Sequence, residues 1–253
     1  MGTPGVGRLA EGLREQTAAF ADAAAGAHPA VRVPTCPAWL LRDLVAHVGH
    51  AHRWAAGIVR TGEPAPAPDP LQAEVGDPAT WPEWLRDGAR ELIRAVEDVG
   101  AETQVWTLVG PLPARFWLRR ILHETSVHHA DAALTAGTAF SVAPDLAADA
   151  IDESLEILSS PWAASKPTLA ELRGAGETLL FRPAERMAGW LITRTPAGVR
   201  SERGTAGADV VVDGGVADLL RVLTRRLPPA SPEVTVTGDR ALLRHWLDRT
   251  AFE

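Results

Sequence analysis

The segment Arg119-Arg120-Ile121-Leu122-His123-Glu124-Thr125-Ser126-Val127-His128-His129-Ala130-Asp131 decides how the rest of this 253-residue chain is read. Its apolar positions recur at helical spacing. Glu124 and His128 stand four residues apart, so on a helix they lie one turn apart on the same face. A carboxylate oxygen and an imidazole nitrogen stacked in this way can hold a divalent ion from one side. Two ligands do not complete a site, and the best candidate for a third is His47, in Asp43-Leu44-Val45-Ala46-His47-Val48-Gly49-His50. The Glu-x-x-x-His spacing also arises as a plain surface i,i+4 pair, so spacing alone leaves both readings open.

The bulk properties narrow the class of protein. The length suits one large domain or two smaller ones. No apolar run approaches the about 20 residues of a membrane span, and the glycine-rich start lacks the apolar core of a signal peptide. A single cysteine, Cys36, excludes an internal disulfide and fits a reducing cytoplasm. The formal net charge of -7 argues against a general nucleic-acid binder. Charge is uneven: residues 161–253 carry 13 basic and 11 acidic side chains, and residues 1–160 carry 12 and 21. This asymmetry points to two units with different surfaces.

Apolar periodicity predicts helices over residues 6–27, 37–61, 81–100, 114–136 and 144–159. Pro37 is acceptable in a first turn, where its missing N–H costs little. Residues 31–37 and 102–113 read as extended or irregular links, residues 62–69 as a proline-rich loop, and Gly137 as a helix stop. After residue 160 the pattern changes. Strands are expected at residues 178–181, 189–194, 208–213 and 234–237, and helices at 215–226 and 239–249. The expected fold is therefore a helical bundle over residues 1–160, followed by a smaller α/β domain over residues 161–253.

Three protein ligands on Zn²⁺ leave a fourth position open for water, substrate or thiol, and Fe²⁺, Ni²⁺ or Mn²⁺ would also suit the donor set. His50 lies one turn after His47 and is read as a pocket-lining or solvent-facing residue rather than a ligand. His52, His123 and His129 fall at other helical angles, and His28 and His245 read as ordinary loop and surface residues. Asp131, three residues after His128, is either a hydrogen-bond partner for a ligand imidazole or a solvated carboxylate. Cys36 reads as a small packing residue or, beside a helix start, a nucleophile. Trp39, Trp54, Trp84 and Trp117 fall on apolar helix faces and read mainly as core, with Trp117 also placed to wall a pocket. No Ser-His-Asp signature, P-loop or dinucleotide fingerprint is present.

Two motifs carry a resemblance. Thr35-Cys36-Pro37-Ala38-Trp39-Leu40-Leu41-Arg42-Asp43-Leu44-Val45-Ala46-His47, together with Phe116-Trp117-Leu118-Arg119-Arg120 running into His123-Glu124 and Val127-His128, resembles the mycothiol-dependent maleylpyruvate isomerase family, within the DinB-like four-helix metalloenzymes. Ala217-Asp218-Leu219-Leu220 and Val234-Thr235-Val236-Thr237-Gly238-Asp239-Arg240-Ala241-Leu242-Leu243 resemble the C-terminal module of that family, of sterol-carrier-like fold. His50 and His129 depart from the residues common in relatives, a small residue and an arginine.

The resemblance implies a DinB-like bundle holding Zn²⁺, or another divalent transition metal, through His47, Glu124 and His128. It also implies mycothiol as the thiol cosubstrate, a small electrophile as substrate and a cytoplasmic actinobacterial setting, with which the arginine-, alanine- and glycine-rich composition agrees. The expected activity is that of a thiol S-transferase or isomerase. A thiol-independent metal hydrolase or lyase, and a non-catalytic binding protein, are the alternatives. No nucleic acid or membrane partner is expected, and a monomer or weak homodimer is.

Overall fold

Apolar side chains at three- and four-residue intervals build four helices in the first part of the chain: α1 (Val6–Ala25), α2 (Leu41–Thr61), α3 (Trp81–Val99) and α4 (Arg115–Ala136). The computed structural model describes residues 2–185 and 187–250. Helix α1 packs against α3 and α4, and α2 packs against the same two, which closes a four-helix bundle. Phe20, Leu41, Leu44, Val45, Val48 and Leu85 form one continuous part of its core. Gly62 and Gly137 end α2 and α4 in the left-handed conformation, at φ 77° and 67°. Gly49 has a different task. A Cβ there would lie 2.0 Å from the Trp84 ring, so only glycine lets α2 and α3 approach this closely.

Two short hairpins complete this unit: β1 (Arg32–Val33) with β2 (Cys36–Leu40), and β3 (Gln104–Val105) with β4 (Leu112–Pro113). The first corrects the expectation that α2 starts at residue 37. Residues Cys36–Leu40 are extended, and the helix starts at Leu41. The Leu41 and Arg42 amides donate to the Val31 and Pro29 carbonyls at 2.8 and 3.0 Å, so the connector takes the N–H groups of the opening turn. Asp43 Oδ2 accepts from the Leu40 amide at 2.8 Å and caps the helix. Backbone pairing over residues 29–42 thus outweighs the tolerance of Pro37 for a first turn.

The chain divides into two compact units, Met1–Val142 and Ala143–Glu253. The expected boundary at residue 160 therefore moves. Helix α5 (Pro144–Leu158) has the same amphipathic pattern as the bundle helices, which is why periodicity groups it with them, but it packs against α7 (Val216–Leu223) of the second unit.

A short helix, α6 (Pro161–Ala164), leads to a mixed five-stranded sheet. Its strands are β5 (Thr178–Pro183), β6 (Gly189–Thr195), β7 (Gly198–Gly204), β8 (Val210–Gly214) and β9 (Val234–Gly238), in the order β7-β6-β5-β8-β9. Only β5 and β8 run parallel. The last helix is α8 (Arg240–Arg249), capped by the Asp239 carboxylate on the Ala241 and Leu242 amides. Strand β7 is absent from the sequence reading because its residues, Arg200, Ser201, Glu202 and Arg203 among them, bury only Val199. It is a charged edge strand, which periodicity does not flag. Among the described residues, no helix is long and apolar enough to cross a membrane.

Candidate metal centre

Helix α4 projects Glu124 and His128 from one face, and α2 brings His47 to meet them. One potential ligand atom from each of the three lies within 4.8 Å of the others. His47 Nε2 and Glu124 Oε1 are 2.8 Å apart, and the His47 and His128 rings meet edge to face at 4.8 Å. Ligands at about 2.0–2.1 Å from a tetrahedral Zn²⁺ stand about 3.3 Å apart, so small side-chain rotations bring this group to a coordinating geometry. Two imidazoles and a carboxylate match the three-ligand set of an open zinc site. The residues present therefore fit a divalent metal.

The surroundings orient each donor. Asp131 is fully buried, and its Oδ2 accepts from His128 Nδ1 at 2.8 Å, which leaves the lone pair of His128 Nε2 for coordination. Thr35 Oγ1 donates to the other oxygen of Asp131 in a short hydrogen bond, and Cys36 Sγ lies 4.0 Å from Oδ2. The connector before α2 thus reaches the centre through Asp131. Arg120, one turn before Glu124, donates to Glu124 Oε2 from Nε and Nη2 at 3.4 and 3.3 Å, leaving Oε1 turned to His47. Trp39 covers both imidazoles, with centroids 5.0 Å from His47 and 6.0 Å from His128.

These contacts set the charge state. Burial pushes the Glu124 carboxyl up, but the His47 hydrogen bond and the Arg120 charge, with help from the two imidazoles, hold it well below the usual carboxylate range. Burial pushes His128 below its ordinary value, against the opposing pull of Asp131. An ionised carboxylate and a neutral imidazole are the forms that bind a cation.

The other candidates are placed elsewhere. His50 Nε2 sits 3.1 Å from the Glu74 carbonyl and its ring meets Trp84 edge to face, so it stands apart from the His47, Glu124 and His128 group. Trp117 is fully buried, donates to the Trp106 carbonyl at 2.8 Å and packs with Trp54, Trp106 and Phe116; it is a core residue rather than a pocket wall. His52 pairs with Thr125 in the bundle core, and His129 pairs with Gln16. Cys36 lies in β2, short of the helix start, so α2 gives its thiol no dipole; it packs against the core cluster.

Trp39, Thr35 and Arg120 are the residues that sequence reasoning missed. Arg120 carried a legible signal, its i,i+4 spacing to Glu124. Trp39 and Thr35 stand in the motif that carries the family resemblance, but periodicity puts Trp39 on a helix face as core, whereas it lies in β2 against the two imidazoles.

A four-helix bundle with a cation-ready His-Glu-His group, followed by an α/β domain on a mixed sheet, defines the class of protein. The chain belongs to the mycothiol-dependent maleylpyruvate isomerase family. Residues 10–133 match the mycothiol maleylpyruvate isomerase N-terminal domain, and residues 145–245 match the MDMPI C-terminal domain. The crystal structure of a mycothiol-dependent maleylpyruvate isomerase aligns over 94% of this chain and 97% of that one, with TM-score 0.64 and 18% identity. A mutant of a mycothiol-dependent maleylpyruvate isomerase aligns over the same shares, with TM-score 0.62 and 18% identity. At that identity the likeness establishes the fold. A UbiJ-SCP2 ubiquinone synthesis protein also aligns, over 44% of this chain and 93% of that one at 21% identity, but its TM-score of 0.31 supports no argument about the second domain. No curated protein sequence matches.

Proposed function

We propose that this protein is a metal-dependent enzyme that uses a low-molecular-weight thiol, mycothiol, to attack a small electrophilic substrate, as an isomerase or an S-transferase. The observation that carries the reading is the convergence of His47, Glu124 and His128, with Asp131 behind His128, in a chain of this family. Zn²⁺ or a similar cation held there would supply the positive charge that draws a thiol, with its ordinary pKa of about 8.5, into the thiolate form at neutral pH.

The chain's own residues do the rest. Asp131 holds His128 in the coordinating tautomer, Arg120 keeps Glu124 ionised and directed, and Trp39 shields the imidazoles from water. In an isomerase the thiol adds to a double bond, the bond rotates and the thiol leaves. In a transferase the thiol stays on the product.

The test is metal analysis of freshly purified protein, followed by turnover of a model electrophile with and without mycothiol. The expected result is bound divalent metal and thiol-dependent turnover, with both lost in His47→Ala. Activity retained in His47→Ala rejects the site. Turnover independent of thiol points to a hydrolase or lyase at the same centre, and absence of metal and turnover to a binding protein.

A further inference from the structure

Helix α8 has two faces. Leu242, Leu243, Trp246 and Leu247 are all buried, Leu242 and Trp246 on one side of the helix. Arg240, Leu243, Arg244, Leu247 and Asp248, at the i, i+3, i+4, i+7 and i+8 positions, share another face. That face forms one side of a cleft of about 390 Å³, whose opposite side is the turn after α7, from Arg225 to the proline pair Pro228-Pro229. The cleft surface is mostly apolar. Its volume is within the range of small-molecule sites, about 300–1,000 Å³, and such sites join apolar walls to a few convergent polar groups.

The charged residues that line it are three arginines, Arg225, Arg240 and Arg244, and one aspartate, Asp248. Arg240 spends one N–H on the Val236 carbonyl at 2.8 Å, which ties it to the cleft. Among the described residues, neither Arg225 nor Arg244 has an ion-pair partner. Arg225 has a second peculiarity. It is the only non-glycine residue with positive φ among the described residues, at 64°. It follows the end of α7, where the Arg226 and Leu227 amides both turn back to the Arg221 carbonyl. That position favours glycine. The left-handed residue closes the C-terminus of α7, and in this chain that position carries an arginine that lines the cleft.

We propose that this cleft binds a small organic anion with an apolar body, an aromatic or medium-chain carboxylate, its head group on Arg225 and Arg244 and its body against Leu243 and Leu247. Every residue that lines the cleft belongs to the second unit, and its binding does not rest on the thiol chemistry proposed for the His47, Glu124 and His128 group. Planar guanidiniums suit a carboxylate through paired N–H donors, and an apolar wall beside them selects an amphipathic anion over an inorganic one.

The test uses the full chain and the fluorescent probe 8-anilinonaphthalene-1-sulfonate, displaced by octanoate, with octylamine as the cationic control. Saturable probe emission is expected, reversed by octanoate and not by octylamine. Arg225→Gly relaxes the backbone while removing the charge, so it should melt at the wild-type temperature or above and bind octanoate about tenfold more weakly. Arg244→Glu should weaken binding at least as much. His47→Ala should leave octanoate binding unchanged, which separates this site from the metal centre. Undiminished octanoate binding in the Arg225→Gly, Arg244→Glu double variant overturns the proposal. So does equal displacement by octylamine, or the absence of saturable probe binding.

Discussion

Replacing Asp131 with asparagine tests whether the proposed centre is built from behind as well as from its three candidate ligands. The change keeps the shape of a side chain with no exposed surface and removes its charge. The neighbours affected include the His128 imidazole at 2.8 Å, the Thr35 hydroxyl, and the Cys36 thiol at 4.0 Å. The Thr35 hydroxyl can rotate to accept from the new amide, so that contact survives in reversed sense. His128 Nδ1–H can still donate to the amide oxygen, but to a neutral acceptor, which makes Nε2 less basic. Loss of such a partner typically lowers metal affinity about 10–100-fold, or about 1.4–2.8 kcal/mol. Full burial of Asp131 favours the upper part of that range, because no water replaces the lost charge. Folding stability should fall by about 1–2 kcal/mol, the difference between charged and neutral hydrogen bonds at one buried site. The assay is Zn²⁺ competition between apo-protein and a chromophoric chelator, alongside a thermal melt. A variant that melts cooperatively and binds Zn²⁺ as tightly as wild type would refute the reasoning.

Two further outcomes follow from the packing and the buried histidines. Gly49→Ala would ordinarily stabilise a helix interior by about 1 kcal/mol. Here the added Cβ meets the Trp84 ring at 2.0 Å, so a net loss of about 1–3 kcal/mol is expected in urea unfolding, and a gain would show that α2 and α3 separate freely. Burial lowers His52 and His129 each from 6.5 to about 4. In the folded protein both stay neutral down to that pH, whereas in the unfolded chain both take up protons near 6.5. Stability should therefore be flat above pH 6.5 and fall between 6.5 and 4, by up to about 1.4 kcal/mol per pH unit for each histidine. His129→Gln should reduce the slope of denaturation midpoint against pH in that window; an unchanged slope would remove His129 from the account.

What could be read from the chain alone was whatever repeats locally. The 3.6-residue apolar period of α1 to α4, the Gly137 stop, and the four-residue spacing of Glu124 and His128 are properties of one helix at a time, and the structure keeps them. The link from His47 to that pair rested on there being a bundle to bring α2 beside α4, and one potential ligand atom from each of the three lies within 4.8 Å of the others. Tertiary structure decided the rest, because the deciding partners are far apart in sequence. Thr35 reaches Asp131 across 96 positions, and β2 displaces the first turn of α2 through amide pairing with residues 29 and 31. Trp39 covers two imidazoles from outside either helix, and α5 leaves the bundle because α7 offers its apolar face a neighbour. Periodicity states which face of an element must be buried. Which other surface buries it is settled only when every element competes for the same core at once.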